Sequence, residues 1–136
     1  MDETAARARF ASARVARLAT VRSDGGPHLV PVCFAVDGER IVSVVDEKPK
    51  TTPALRRLDN IRVHAEVSLL VDHYEDDWSA LWWVRVDGRA RIIEGGPDQA
   101  HAIDALQAKY SQYRGTPPGG PVIQVTPDRW RSWSAS

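Results

Sequence analysis

The sequence predicts a mainly β protein with flanking helices and antiparallel strands, and three observations carry that prediction. Short runs rich in β-branched and apolar residues recur along most of the chain. Several are joined by tight-turn sequences such as Ser23-Asp24-Gly25-Gly26 and Asp37-Gly38, and helical periodicity is confined to a few segments. Consecutive strands joined by tight turns pair antiparallel, and a sheet of about six strands with few helices tends to curl into a barrel. A doubly wound parallel sheet is excluded because it needs a helical crossover between successive strands.

The elements follow in order. Asp2 can cap a first helix that has Glu3 in its first turn, places Ala6, Phe10 and Ala13 on one face, and ends near Arg14. A strand over 17–22 runs into the turn at 23–26, whose residues tolerate positive φ. The return strand is read as one run, 29–36, with Asp37-Gly38 closing it and a third strand at 40–45 completing a meander. Pro31 has no N–H to give a ladder, so it belongs at an edge, at a bulge or beside a ligand. After a loop at 46–52, Pro53 opens a short helix that Thr52 can cap and that Asp59-Asn60 end.

Strands are expected at 61–71 and 80–93, separated by the polar loop 73–78, with Asp87-Gly88 forming either a hairpin turn or a bulge. A helix over 97–113 carries Ala100, Ile103, Leu106, Tyr110 and Tyr113 on one stripe. A loop at 115–120 precedes a last strand that starts at Val122 and continues toward Trp130 and Trp133.

At 136 residues the chain has the length of one domain, expected to span 1–136. Eighteen basic and eighteen acidic residues cancel, which removes the general field that nucleic-acid binders and polybasic membrane binders display. No nucleic-acid or membrane partner is expected, and an anionic ligand must be held locally. The single cysteine, Cys33, allows no intrachain disulfide, and the start Met-Asp-Glu lacks a basic region followed by an apolar stretch. These features fit a cytoplasmic protein.

Most side-chain chemistry is weakly signalled. His28, His64, His73 and His101 have none of the short spacings of zinc sites, so no metal is expected. Cys33, in an apolar strand, reads as a small core residue, and Glu75-Asp76-Asp77 reads as a solvated turn. The adjacent Trp82 and Trp83 must point to opposite faces of a strand, so one of them packs against an interface, a ligand or a helix of its own chain.

The exception is the segment at 46–53. Fifteen of the eighteen basic residues are Arg, yet two of the three lysines, Lys48 and Lys50, lie within three positions of each other, just before Thr51, Thr52 and a helix start. A helix N-terminus presents unpaired N–H groups and partial positive charge, and lysines add mobile point charges, so a phosphate fits there. The other reading is a basic surface turn capped by Thr52.

At this point the sequence resembles the flavin- and deazaflavin-binding split β-barrels, the pyridoxamine 5′-phosphate oxidase-like family. The resemblance is carried by 14–20, 26–34, 44–50, Leu55-Arg56-Arg57-Leu58 before Ile61, 83–91 and 126–133. It is most similar to small actinobacterial oxidoreductases that use coenzyme F420. The resemblance implies a split β-barrel homodimer with cofactor sites at the subunit interface, and transfer of a hydride from reduced F420 to a small organic acceptor.

In that family the cofactor ring lies along backbone that corresponds to Pro31, Val32, Cys33 and Val45. The phosphate site maps to Lys48, Lys50, Thr51 and Thr52, and Trp78 matches an aromatic that covers the ring from the partner subunit. No catalytic side chain is implied, because the cofactor carries the chemistry. Relatives often have arginine in the phosphate loop; lysine here leaves an electrostatic contact without a bidentate one. The family also favours a glycine bulge at Asp87-Gly88. FMN binding is the near rival, since FMN ends in one phosphate whereas the F420 tail continues as carboxylates. A non-catalytic cofactor carrier or haem binder is the rival of another class.

Overall fold

A computed structural model describes residues 1–45 and 54–136. The first helix, α1 (Glu3–Ser12), leads into β1 (Ala16–Val21), β2 (Pro27–Val32), β3 (Ala35–Asp37) and β4 (Arg40–Val44). Next come α2 (Ala54–Val63), β5 (Glu66–His73), a 3-10 turn (Trp78–Ala80) and β6 (Trp82–Ile93). The chain finishes with α3 (Gly96–Lys109), α4 (Ser111–Gly115) and β7 (Val122–Ser134). The described strands form one antiparallel sheet in the order β2-β1-β5-β6-β7-β4-β3, curled into a half-barrel with the helices on its flanks.

Local sequence explains the first elements. The Asp2 carboxylate accepts from the Ala5 N–H at 2.8 Å and starts α1, which buries Ala6 and Phe10. Gly25 adopts φ +87°, and the Asp24 carboxylate accepts from the Gly26 N–H at 2.8 Å, so the turn between β1 and β2 forms where it is expected. β2 is an edge strand, and Pro31 lies in it.

The expected three-strand meander does not form. The apolar run 29–36 breaks at Cys33 and Phe34, so that β2 pairs with β1 at one end of the sheet while β3 pairs with β4 at the other. At the break the Phe34 N–H donates to Tyr110 Oη at 3.1 Å, and the Tyr110 hydroxyl faces the carbonyls of Phe34 at 3.0 Å and Arg14 at 2.8 Å. A side chain from α3 thus does for Phe34 what a neighbouring strand would otherwise do.

Tyr110 also corrects the expected helix over 97–113. Its backbone is extended (φ −116°, ψ 116°), which ends α3 at Lys109 and starts α4 at Ser111. Leu106 and Tyr110 of the expected stripe are buried and Ile103 and Tyr113 half-buried, but Ala100 is exposed and Ala102 is buried in its place.

α2 runs past Asp59-Asn60 to Val63, so β5 begins at Glu66 rather than at Ile61. The polar pair does not break the helix because both side chains are engaged elsewhere. The buried Asn60 donates to Thr20 Oγ1 at 3.0 Å, and Asp59 pairs with Arg62 at 3.1 Å, while Leu58 and Ile61 enter the core.

Asp87-Gly88 is a bulge within one long strand. β6 pairs with β7 throughout, with a register shift between Asp87 and Gly88. A Cβ on Gly88 would lie 2.4 Å from the Thr126 carbonyl oxygen, so this backbone approach needs glycine.

Two cores result. Inside the curl, Phe10, Leu18, Phe34, Leu69, Val84 and Ile123 pack together, with Phe10 and Phe34 ring centroids 4.8 Å apart. Between α3 and the outside of β3, β4 and β7, Val42, Val44, Leu106, Tyr110 and Val122 form the second. Tyr110 is where the two meet. We expect Tyr110→Phe to destabilise the protein by about 1–3 kcal/mol, because it leaves buried backbone groups of Phe34 without a partner. Urea unfolding with an unchanged slope is the measurement that checks it.

Candidate cofactor site

The structure separates the residues expected to carry a ring. Val32 and Val45 point into the barrel core at 4% and 3% exposure, so only their backbone faces outward, and the Val45 N–H already donates to the Pro121 carbonyl at 2.9 Å. Pro31 is exposed and pairs with Arg17 across the outer face of the sheet. Cys33 is half-buried at the crossing between the two edges. Lys48, Lys50, Thr51 and Thr52 lie outside the described residues. Trp78 is 68% exposed on the loop after β5, its indole N–H donating to Tyr74 Oη at 3.2 Å, and it does not line the Cys33 cleft of its own chain.

That cleft, of about 430 Å³, is lined by Arg14, Val15, Cys33, Tyr110, Gln112 and Tyr113. The Tyr110 and Tyr113 rings meet edge to face, with centroids 5.7 Å apart. Arg14 is held by its contact over the Tyr110 ring at 4.8 Å and by donating to the Lys109 carbonyl at 3.1 Å. Burial pushes the Tyr110 phenol above its ordinary value, so the wall it forms is neutral.

Lys109, the last residue of α3, adds charge behind this wall. Its amine is buried, has no hydrogen-bond partner among the described residues, and lies 3.7 Å from the Phe34 ring centroid and 5.3 Å from that of Tyr110. Burial pushes the amine down to about 8; the charge of Arg14 adds to this and the nearby Cys33 thiol opposes it. Arg57 of α2, near Tyr113, is partly buried, and its guanidinium is pushed down by desolvation, which the charge interaction with Tyr113 opposes. α2 follows directly in sequence on the segment at 46–53.

Sequence reasoning missed Arg14, Lys109 and the wall role of the two tyrosines. The signal for Lys109 was present, since it is the third lysine of a chain whose other cations are arginine. For Arg14 no local pattern exists, because the groups that position it are 95 residues away in sequence.

A second aromatic surface lies on the outer face of the sheet. Trp83 stands between Asp72 and Trp133 across three strands, and Leu70, Arg85 and Arg131 form the next row. All of these but Arg131 border a cavity of about 370 Å³ that also touches His73, Tyr74 and Trp82. Of the tryptophan pair, Trp82 packs against the barrel core, under Arg9 and stacked on His73, and Trp83 faces outward. Arg85 pairs with Asp87 at 3.1 Å, and His73 pairs with Glu75. Among the described residues no group of three or more His, Cys, Asp or Glu could hold a metal ion, and no helix is long and apolar enough to cross a membrane.

A half-barrel whose edges part at residues 33–34, with a cationic, aromatic-walled cleft at the parting, defines a split β-barrel of the FMN-binding type. The pyridoxamine 5'-phosphate oxidase family matches the chain over residues 2–134, and the chain belongs to that family. Among solved structures it is similar to a conserved hypothetical protein from Mycobacterium tuberculosis, at 24% identity, covering 99% of this chain and 86% of that one with a TM-score of 0.80. It is also similar to the haem storage protein HutZ from Vibrio cholerae, at 17% identity, 98% and 95% coverage and a TM-score of 0.74. A FAD-binding protein from Mesorhizobium loti matches at 18% identity, 97% and 94% coverage and a TM-score of 0.72. At these identities the likeness shows the fold alone. No curated protein matches the sequence.

Lys109 gives the site a measurable signature. Its folded value of about 8 lies below the ordinary 10.5 of the unfolded chain, so between them the unfolded state holds more protons and the stability linked to this residue rises with pH. Lys109→Met is expected to raise Tm at neutral pH, with the gap over the unaltered protein closing as the pH goes from about 8 toward 10. Thermal unfolding across that range checks it. Tyr110, whose pKa is raised, acts in the opposite sense above its ordinary 10.0, so the comparison belongs below that pH.

Proposed function

We propose that the protein binds a flavin of the FMN type, with the phosphate at the segment 46–53 and the ring beside Cys33, and that it serves as an oxidoreductase toward a small organic acceptor. The observation that carries this reading is the cleft itself. It combines a parted sheet edge and two tyrosine walls with Arg14 in its lining, while Lys109 lies behind Tyr110 and Arg57 is near Tyr113. A volume of 430 Å³ is in the range of small-molecule sites. A buried ammonium without an acceptor also fits an anionic ligand better than a neutral one.

When bound, the flavin supplies hydride or electron transfer. The residues of the chain have simpler tasks. Backbone at Val32 and Val45 offers a flat support whose side chains are tied into the core, the tyrosines exclude water, and the cations hold negative charge. Lys48, Lys50, Thr51 and Thr52 hold the phosphate in this reading.

Coenzyme F420 is the second reading, favoured by one observation: Arg57 turns toward Tyr113 and the cleft while its neighbour Arg56 is exposed, so cations extend beyond the phosphate segment. The carboxylates of the F420 tail suit such a path. Haem has less support, since none of His28, His64 and His73, the candidate axial ligands, lines the Cys33 cleft, and His73 is engaged by a carboxylate. The name of the Vibrio cholerae relative nonetheless makes haem a necessary arm of the test.

We further propose a homodimer in which the outer faces of the two sheets meet and Trp78 of one subunit approaches the cleft of the other. Trp83, Trp133 at 47% exposure, Leu29 at 66% and the exposed Tyr74 supply the apolar surface that supports it.

Equilibrium titration of the purified protein with FMN, F420 and haemin, followed by fluorescence and absorbance, separates the readings. FMN is expected to bind in the micromolar range, and Lys50→Ala to weaken it by about 1–3 kcal/mol, the range for a lost charged hydrogen bond. Tight F420 binding without FMN binding would move the assignment to the deazaflavin, and haemin alone would remove the redox-enzyme reading. For the dimer, Trp83→Arg is expected to shift sedimentation toward the monomer, and an unchanged profile in a folded variant would place the interface elsewhere.

A further inference from the structure

Among the described cations that pair with no carboxylate, two are adjacent and the amine of one is buried. Arg7, Arg62, Arg85, Arg89 and Arg91 each pair with a carboxylate. Arg14 and Lys109 do not, among the described residues, although they are adjacent and one of them is buried. Bringing two like charges together and removing one from water is unfavourable unless an anion joins them. Aromatic faces over Lys109 offset part of the lost hydration but accept no hydrogen bond.

None of the six residues lining the cleft is acidic. Beyond Arg14 and Gln112, the lining is Val15, the Cys33 thiol and two tyrosine rings, which suits a flat apolar body, and Lys109 lies behind Tyr110. Arg14 is fixed from behind by its contact with Tyr110 and its bond to the Lys109 carbonyl, so it is positioned before any ligand enters. Lys109 ends a flexible stem, and its amine can swing toward a charge that the cleft admits.

We propose that Arg14 and Lys109 bind the carboxylate of the acceptor, which makes small aromatic or conjugated monocarboxylates the substrate class of this protein. This rests on the reading of the site as a flavin-type oxidoreductase. The carboxylate sits at the Arg14 end of the cleft, and the flat body extends past Cys33 along the tyrosines toward the ring of the cofactor. Neither cation takes part in bond making; both position the acceptor.

Benzoate is the probe, benzyl alcohol its neutral counterpart and inorganic phosphate the competing anion. Calorimetric or NMR titration of the full chain, first without cofactor and then with FMN present, is expected to show benzoate bound at least about tenfold more tightly than benzyl alcohol, as a charge-assisted contact requires. Lys109→Met and Arg14→Met should each weaken benzoate about tenfold while leaving benzyl alcohol unchanged, and Lys109→Arg should restore much of the loss. Because Lys109→Met removes a buried unpaired charge, it is expected to fold.

Equal binding of the acid and the alcohol, or benzoate affinity indifferent to both Met substitutions, would overturn the proposal. So would phosphate displacing benzoate at equal concentration, or FMN and benzoate excluding each other. The titration without cofactor is read independently of FMN affinity, so a protein that binds no FMN but binds benzoate through Lys109 refutes the flavin reading and not the carboxylate pocket.

Discussion

Tyr110 Oη accepts from the Phe34 amide and turns its one proton toward the carbonyls of Phe34 and Arg14, and the placement of both sheet edges depends on that contact. Between Val32 and Ala35 the chain leaves one edge of the sheet and joins the other, so its backbone groups there have no strand beside them. An unpartnered buried amide would cost more than a typical hydrogen bond contributes. With the hydroxyl in place the break is stable, Cys33 is presented at the surface of the crossing, and the cleft exists. The same residue interrupts α3, which lets Tyr113 turn back as the second wall.

The charge distribution carries the same logic from fold to site. A net charge of zero hides a division of labour: Arg7, Arg22, Arg62, Arg85, Arg89 and Arg91 pair with nearby carboxylates, while the cleft has Arg14 and no acidic residue in its lining. Burial of Lys109 destabilises the protein at neutral pH, and a local conflict of this kind is most often retained where a ligand resolves it. Zero overall charge therefore says little about affinity for anions, which is decided within a few ångströms.

Much of the architecture was legible in the sequence because its signals are local. Asp2 caps α1, Gly25 makes the first hairpin turn and Pro31 falls on an edge strand, whereas at Asp87-Gly88 the residues alone left turn and bulge open and the family resemblance favoured the bulge that forms. The break at Cys33-Phe34 was not legible, because the run 29–36 is apolar without interruption and its partner, Tyr110, lies 76 residues away. Likewise Asp59-Asn60 read as a helix end, yet Asn60 is recruited by Thr20 across the core. Of the candidate site, Cys33 could be named from the sequence, but the cations that surround it are assembled only by the fold.

The bulge at Gly88 has one more effect. Arg129 lies opposite Asp87 and Pro127 opposite Gly88, so Asp128 is the residue left over. Before it, Ile123 and Val125 face the barrel core; after it, Trp130 does, while Trp133 stands outside. Odd-numbered positions thus point inward on one side of Asp128 and even-numbered positions on the other. This single surplus residue works as a parity switch for the second half of β7, and any change of one residue in the length of that strand would exchange its wet and dry sides from that point to the end.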